Sequence, residues 1–159
     1  MVYCNAITRE RSFYVETEQY YSHSTEDTEN AGAALARKLI EKYHDAPFFV
    51  TLSGGLGAGK TAFTRGFASV LSPGSRVKSP SFTIVNEYRR GTTPLFHFDL
   101  YRLGESADLS DIGFSEYVEN GHCIIEWSEY LNEDIPENAV NVNIEKSSDT
   151  DRIITVKYR

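Results

Sequence analysis

The chain has 159 residues, 40% of them hydrophobic and 25% charged, and this length and composition predict one globular domain that is stable without a disulfide or a metal. Its formal net charge of −7 argues against a protein whose main task is to grip nucleic acid through the phosphates. The sequence has neither an apolar run of membrane-spanning length nor a signal-peptide pattern, which predicts a cytoplasmic protein with no membrane partner.

The first elements are an N-terminal arm and a long helix. Residues 1–22 are polar and aromatic without a clear apolar period, so they are expected to form either an exposed β-hairpin arm or an edge strand, ahead of a single domain over residues 23–159. Ser24 and Asp27 resemble a capping box. Apolar residues at helical spacing then predict a helix from Thr25 to Tyr43.

A strand, a glycine loop and a second helix come next. The apolar, β-rich run Phe48–Ser53 predicts a buried strand. The glycine loop follows it directly, and Thr61–Leu71 has the apolar spacing of an amphipathic helix.

The second half of the chain is dominated by strands. Strands are predicted over 84–90, 95–101 and 122–127, with one or two short helical pieces over 106–120. Two late alternating segments, 140–145 and 152–158, are expected to pair as a hairpin. With the glycine loop, this order predicts an α/β fold of the three-layer P-loop NTPase type, with a mostly parallel central sheet and a late antiparallel hairpin.

The glycine loop fits the phosphate-loop pattern Gly54-x-x-x-x-Gly59-Lys60-Thr61. Glycines let the backbone wrap closely around an anion, and the helix that follows offers unpaired N–H groups to it. Lys60 is expected to reach the β and γ phosphates, and the Thr61 hydroxyl to bind Mg²⁺. The predicted phosphate-binding residues are Gly55, Leu56, Gly57, Ala58, Gly59, Lys60, Thr61 and Ala62.

Two acidic residues end apolar strands. Asp99 ends the run LFHFD, and Glu126 ends the run HCIIE. Residues at the carboxyl ends of strands face the ligand crevice of an α/β sheet, so either acid could hold Mg²⁺ beside the phosphate loop. The residue types alone do not show which of the two acids would hold Mg²⁺.

The motifs GGLGAGKT, KSPSFTIVNEY, HFDLYRL and IIEW follow one another in this order. Together, over roughly Ser24–Glu145, the chain resembles the TsaE (YjeE) family of small bacterial P-loop ATPases, which are required to form threonylcarbamoyladenosine in tRNA. The resemblance implies ATP as substrate, Mg²⁺ as cofactor, weak ATPase activity alone, and partners similar to TsaD and TsaB. It implies contact with tRNA only through that complex.

The resemblance also assigns roles to individual residues. It implies that Thr61 and Glu126 coordinate Mg²⁺, and that Asp99 acts on the attacking water or on the water shell of the metal. With Lys60, the two acids form the expected catalytic set. It further implies a switch-like loop, whose residues are Ser79, Pro80, Ser81, Phe82 and Thr83. Two positions depart from the usual family residues: Ser81 replaces Thr, and Gly55 replaces Asp.

Three further side chains are candidates for contact with a phosphate or a partner: His97, Arg102 and Trp127. Packing is the simpler expectation for His97 and Trp127. Because Trp127 directly follows Glu126, a continuous strand would direct the two side chains to opposite faces of the sheet.

The base is expected to be adenine. The chain has neither the Asn-Lys-x-Asp segment nor the Asp-x-x-Gly switch of guanine-specific proteins. By resemblance, the start of the first helix lines the adenine, with Thr25 and Thr28 as the contacts.

Two other functions remain open on the sequence. A small-molecule kinase would share the loop and the size, but no lid-like helix pair with arginines follows Glu126. A non-hydrolysing, nucleotide-dependent adaptor would have no need of a water-positioning acid such as Asp99.

Overall fold

The structure is a computed structural model that describes residues 3–10, 13–44, 46–80, 82–104, 109, 112–131 and 135–158. Its α-helices are α1 (Thr25–Tyr43), α2 (Lys60–Leu71) and α3 (Phe114–Asn120), and a 3₁₀ turn spans Ser128–Tyr130. Its strands are β1 (Tyr3–Glu10), β2 (Phe13–Ser22), β3 (Phe49–Ser53), β4 (Val85–Tyr88), β5 (Leu95–Asp99), β6 (His122–Glu126), β7 (Val140–Lys146) and β8 (Arg152–Tyr158).

All eight strands form one sheet in the order β1-β2-β8-β7-β3-β6-β5-β4. The centre, β7-β3-β6-β5, is parallel, and it is flanked by antiparallel β4 on one side and by antiparallel β8, β2 and β1 on the other. The α/β prediction with a parallel centre is confirmed, and so is the late hairpin, in which β7 pairs with β8. The parallel centre directs the ends of β3, β5 and β6 to one edge of the sheet, where the two acidic residues Asp99 and Glu126 lie side by side.

Helices cover the two faces of the sheet. α1 and α2 lie over one face with Leu35, Phe63 and Phe67 in its core, while Phe114 of α3 packs in the core of the other face. α1 and α2 approach very closely because glycines lie at their contact: a Cβ on Gly66 would stand 1.7 Å from the Glu29 carbonyl oxygen. This contact packs the middle of α2, the helix that follows the phosphate loop, directly against α1.

Ser24 caps α1 as its sequence predicts. The Asp27 N–H donates to Ser24 Oγ at 3.0 Å. The Asp27 carboxylate accepts a bond from the backbone N–H of His23 at 2.9 Å, one residue before the cap. The capping residue and the bounds of α1, Thr25–Tyr43, agree with the sequence prediction.

The N-terminal arm is a hairpin that also forms the edge of the main sheet. β1 pairs with β2 over eight residues, and β2 continues the sheet by pairing with β8. Fully buried Glu18 of β2 forms an ion pair with Lys38 of α1, which ties the inner strand of the arm to the rest of the protein. The division of the chain after residue 22 stays a prediction. None of the helices in the described ranges has the length and apolar character needed to cross a membrane.

Candidate functional site

The phosphate loop connects β3 to α2 and has the backbone that its glycines allow. Gly54, Gly57 and Gly59 have φ values of 137°, 67° and 111°, a region that side-chain-bearing residues rarely adopt. The Ala58 N–H donates to the Gly55 carbonyl at 3.1 Å and closes the turn. The loop runs directly into the 12-residue helix α2, whose first N–H groups and positive dipole end favour an anion.

Lys60 is held inside this loop. Its Nζ donates to the carbonyl oxygens of Gly54 at 2.5 Å and Gly55 at 3.0 Å, and lies 3.6 Å from the centre of the Trp127 ring. Burial lowers the pKa of the ammonium, and the negative field of Glu126 opposes that shift. The ammonium is therefore held inside the loop by two carbonyls and an aromatic ring, and Lys60 is only 5% exposed.

A second cation fixes the loop from outside. Arg152, the first residue of β8, donates from Nε to the Ala58 carbonyl at 2.9 Å. From the sequence, Arg152 could be identified only as a strand residue. The contact could not be predicted from a local pattern, because its two partners are 94 positions apart.

Glu126 ends β6 and meets the start of α2. Its Oε2 accepts a hydrogen bond from Thr61 Oγ1 at 3.0 Å, and its Oε1 lies 2.8 Å from His97 Nε2. The carboxylate is buried. The structure thus brings together the hydroxyl and the carboxylate that the resemblance implied as metal ligands.

Asp99 lies beside Glu126. The two are register partners at the ends of the parallel strands β5 and β6. Asp99 Oδ2 accepts a hydrogen bond from Ser79 Oγ at 2.5 Å, and Oδ1 accepts one from the Tyr101 N–H at 3.1 Å. Ser79, at the start of the predicted switch-like loop, is therefore joined directly to one of the two acids.

The rest of the switch-like loop is a turn with an exposed tip. The N–H groups of Thr83 and Ile84 both donate to the buried Pro80 carbonyl, at 3.0 and 2.9 Å. Phe82 is 85% exposed and lies under the Arg102 guanidinium, 4.1 Å from its ring centre. Ser81 lies outside the described residues.

One cavity of about 470 Å³ unites most of the predicted site. It is lined by Leu56, Gly57, Ala58, Gly59, Lys60, Thr61, Ala62, Ser79, Asp99, Tyr101, Arg102, Glu126 and Trp127. Gly55 instead lines a separate depression, together with residues 143–146 of β7.

A second cavity of about 260 Å³ adjoins the first, because Gly57, Gly59 and Ala62 line both. Its other lining residues are His23, Ser24, Thr25, Thr28, Asp149, Thr150 and Arg152. The helix start named from sequence therefore lies next to the phosphate loop. The Thr28 hydroxyl is already bonded, at 2.7 Å from Ser22 Oγ and 3.2 Å from the Ser24 carbonyl.

One expectation about side-chain placement was wrong, and one agrees with the structure. Trp127 does not continue β6: its φ of 60° turns the chain, and its ring lines the same cavity as Glu126 instead of the opposite face. His97 is fully buried, in agreement with the simpler expectation that it packs inside the protein. Arg102 does line the cavity.

The donor set fits Mg²⁺ bound together with a phosphate ligand. Across the described residues, no three His, Cys, Asp or Glu side chains converge as a cage for a metal. Mg²⁺ in nucleotide sites does not need one, since it takes one or two protein oxygens and completes its shell with phosphate and water. The Thr61 hydroxyl and the Glu126 carboxylate, with Asp99 beside them, supply such oxygens.

Comparisons with known proteins agree with this geometry. Residues 22–154 match the family model for the threonylcarbamoyl adenosine biosynthesis protein TsaE. The tRNA threonylcarbamoyladenosine biosynthesis protein TsaE of Bacillus subtilis is 42% identical over 119 residues, which are 74% of each chain. The protein of the same name from Treponema pallidum is 38% identical over 136 residues, 85% of this chain and 96% of that one. A crystal structure of Bacillus subtilis YdiB superposes with a TM-score of 0.73 at 32% identity, covering 92% of this chain and 88% of that one.

Proposed function

The chain belongs to the TsaE family, and from this premise we propose that it binds ATP with Mg²⁺, hydrolyses it slowly, and serves the formation of threonylcarbamoyladenosine in tRNA. The observation that carries this proposal is the convergence of Thr61, Glu126 and Asp99 in one cavity with the phosphate loop. A loop that only bound an anion would have no need of two adjacent strand-end carboxylates.

The proposed roles follow from the contacts. The phosphates lie in the loop, where backbone N–H groups and Lys60 face them. Lys60 exchanges its present carbonyl partners for the phosphates, and gains a charge-assisted contact by doing so. Thr61 and Glu126 hold Mg²⁺, which supplies neutralisation of the charge that grows on the phosphates.

Asp99 orients the attacking water. Both of its carboxylate oxygens accept hydrogen bonds in this structure, one from Ser79 and one from the backbone of Tyr101. Ser79 belongs to the switch-like loop, so a movement of that loop would free one oxygen for water. This arrangement supports slow hydrolysis by the isolated protein.

The base occupies the second cavity, beside Thr25 at the start of α1. That cavity adjoins the phosphate loop, as the two ends of one nucleotide require. We propose adenine as the base, in agreement with the absence of guanine-recognition motifs from the sequence.

Partners similar to TsaD and TsaB are proposed to dock over the mouth of the cavity. Four large hydrophobic side chains of the described residues are exposed, and three of them, Leu56, Phe82 and Tyr101, lie at or next to this mouth. Exposed apolar groups gathered at one place mark interaction sites. tRNA is reached through this complex, in keeping with the net charge of −7.

A partner is also proposed to complete catalysis. A well-placed arginine finger accelerates phosphoryl transfer by about 10³- to 10⁵-fold. The described residues offer few candidates for such an arginine. Arg65 is paired with Glu29, and Arg152 with the Ala58 carbonyl. Among the described residues, Arg102 is the arginine that lines the main cavity.

Phosphate release at fixed ATP and Mg²⁺, with and without the TsaD- and TsaB-like proteins of the same organism, tests the function. Slow release that the partners raise markedly is the expected result. A fast basal rate that partners leave unchanged would favour a kinase or a self-sufficient ATPase. No release under either condition, with ATP still required for the complex to form, would favour the non-hydrolysing adaptor.

A further inference from the structure

His97 lies behind the Glu126 carboxylate and has no exposed surface. It is the central residue of β5, its side chain is 0% exposed, and its ring faces that of Tyr88 across the β4–β5 pair at 6.4 Å. Its Nε2 is 2.8 Å from Glu126 Oε1. The other ring nitrogen, Nδ1, is also buried and has no hydrogen-bond partner among the described residues.

The different surroundings of the two ring nitrogens favour a proton on Nε2. A proton on Nε2 donates to the carboxylate, and the bare nitrogen left at Nδ1 needs no acceptor. The opposite tautomer would set a lone pair against a carboxylate oxygen and bury an N–H without an acceptor, which is unfavourable on both counts.

The other hydroxyl near Oε1 does not replace this bond. Thr64 Oγ1 lies 3.4 Å from Glu126 Oε1, but it also lies 3.0 Å from the Lys60 carbonyl. A hydroxyl has one hydrogen, and the nearer carbonyl takes it. His97 Nε2 is therefore the nearest donor to Oε1 of Glu126, and its hydrogen has no competing acceptor among the described residues. Thr61 donates to Oε2 of the same carboxylate.

We propose that His97 is a positioning residue for the metal-binding carboxylate: its Nε2–H holds Oε1 of Glu126 and so directs Oε2 toward Thr61 and the cation. The inference rests on the proposed ATP–Mg²⁺ site. It gives a reason for burying a polar side chain on the inner face of β5, where Leu95 and other apolar residues otherwise pack.

The chain offers a matched control for a test. His122 is a second buried histidine, on β6, and its Nδ1 is also without a partner in the described part of the chain. It stacks on Phe48 at 3.9 Å and belongs to the opposite end of the strands. His122→Leu therefore removes a buried imidazole without touching Glu126.

The experiment measures the Mg²⁺ concentration that half-saturates ATP binding, by calorimetry at fixed ATP, for the native chain, His97→Leu, His97→Gln and His122→Leu. Loss of an outer-shell partner costs about 10- to 100-fold in metal affinity, so His97→Leu should raise the Mg²⁺ midpoint at least about 10-fold. His97→Gln keeps an N–H donor and should recover most of that loss. ATP binding without Mg²⁺ should be alike in all four proteins.

An unchanged Mg²⁺ midpoint in His97→Leu, or an equal shift in His122→Leu, overturns the inference and leaves the ATP–Mg²⁺ site intact. A native chain that binds no ATP at saturating Mg²⁺ overturns the site itself and the inference with it. If His97→Leu does not fold, nitrogen NMR of the native protein tests the proposal, because His97 should carry a proton on Nε2. A proton on Nδ1 alone contradicts the proposal.

Discussion

The ring of Trp127 covers the ammonium of Lys60 at 3.6 Å from the ring centre, in a cation–π contact inside the phosphate-loop cavity. The contact exists because Trp127 has a φ of 60°, which turns the chain at the end of β6 and swings the indole over the loop. The lysine that should bind phosphate and the only tryptophan of the chain are therefore direct neighbours.

This contact predicts a fluorescence signal for nucleotide binding. When Lys60 turns to the phosphates, the charge next to the indole moves, and Trp127 emission should change in a saturable way with ATP and Mg²⁺. The measurement is a fluorescence titration beside calorimetry of the same samples, with Trp127→Phe as the silent control. Calorimetric saturation without a change in native emission would show that Lys60 keeps its present place.

Substitutions of the two strand-end acids, Asp99 and Glu126, should have different effects. Glu126→Gln weakens a metal ligand, so it should reduce the Mg²⁺ dependence of ATP binding. Asp99→Asn should leave binding nearly intact and slow turnover, because Asp99 is assigned to the water. Calorimetry and single-turnover phosphate release distinguish these outcomes. The reverse pattern would exchange the two roles, and a double variant would measure how strongly the neighbouring acids are coupled.

The α1–α2 contact should not tolerate an added methyl group. A Cβ at Gly66 would lie 1.7 Å from the Glu29 carbonyl oxygen, and a backbone atom cannot rotate away. Gly66→Ala should destabilise the protein by about 1–3 kcal/mol or more, despite the better helix propensity of alanine. Gly55→Ala is the control, since no described atom lies within 4 Å of its Cβ position. Equal free energies of unfolding in urea for Gly66→Ala and Gly55→Ala would refute this account of the packing.

Acid should destabilise the fold partly through His122. Burial lowers the pKa of His122 to about 4 from 6.5. Between these values the unfolded chain binds a proton that the folded chain does not, so stability is lost as the pH falls, by up to about 1.4 kcal/mol per pH unit from this group. Native protein should therefore lose more stability between pH 7 and pH 5 than His122→Leu in urea unfolding. Equal losses would mean that His122 is not the group responsible.

Local patterns predicted the elements well. The bounds of α1 match the prediction because a capping serine and a regular apolar period mark them. The strand before the phosphate loop and the helix after it each begin within one residue of their predicted starts. The adjacency of Asp99 and Glu126 also follows from parallel strands that end at a common edge.

Contacts between distant segments could not be predicted in this way. The bond from Arg152 to the loop spans 94 positions, and that between His97 and Glu126 joins two strands whose register no local pattern gives. The direction of Trp127 depends on one backbone angle in a residue type that seldom adopts it. Most residues that line the main cavity could therefore be named from the sequence, whereas the contacts that support them could not.

The most direct test of the account is a calorimetric titration of the native chain and Lys60→Ala with ATP, and of the native chain with GTP, all in Mg²⁺. A charge-assisted contact contributes about 1.5–3 kcal/mol, so Lys60→Ala should bind ATP roughly 10- to 150-fold more weakly while remaining folded. GTP should bind the native chain much more weakly than ATP. Unchanged ATP affinity in Lys60→Ala, or equal affinities for ATP and GTP, would contradict an ATP–Mg²⁺ site in this cavity.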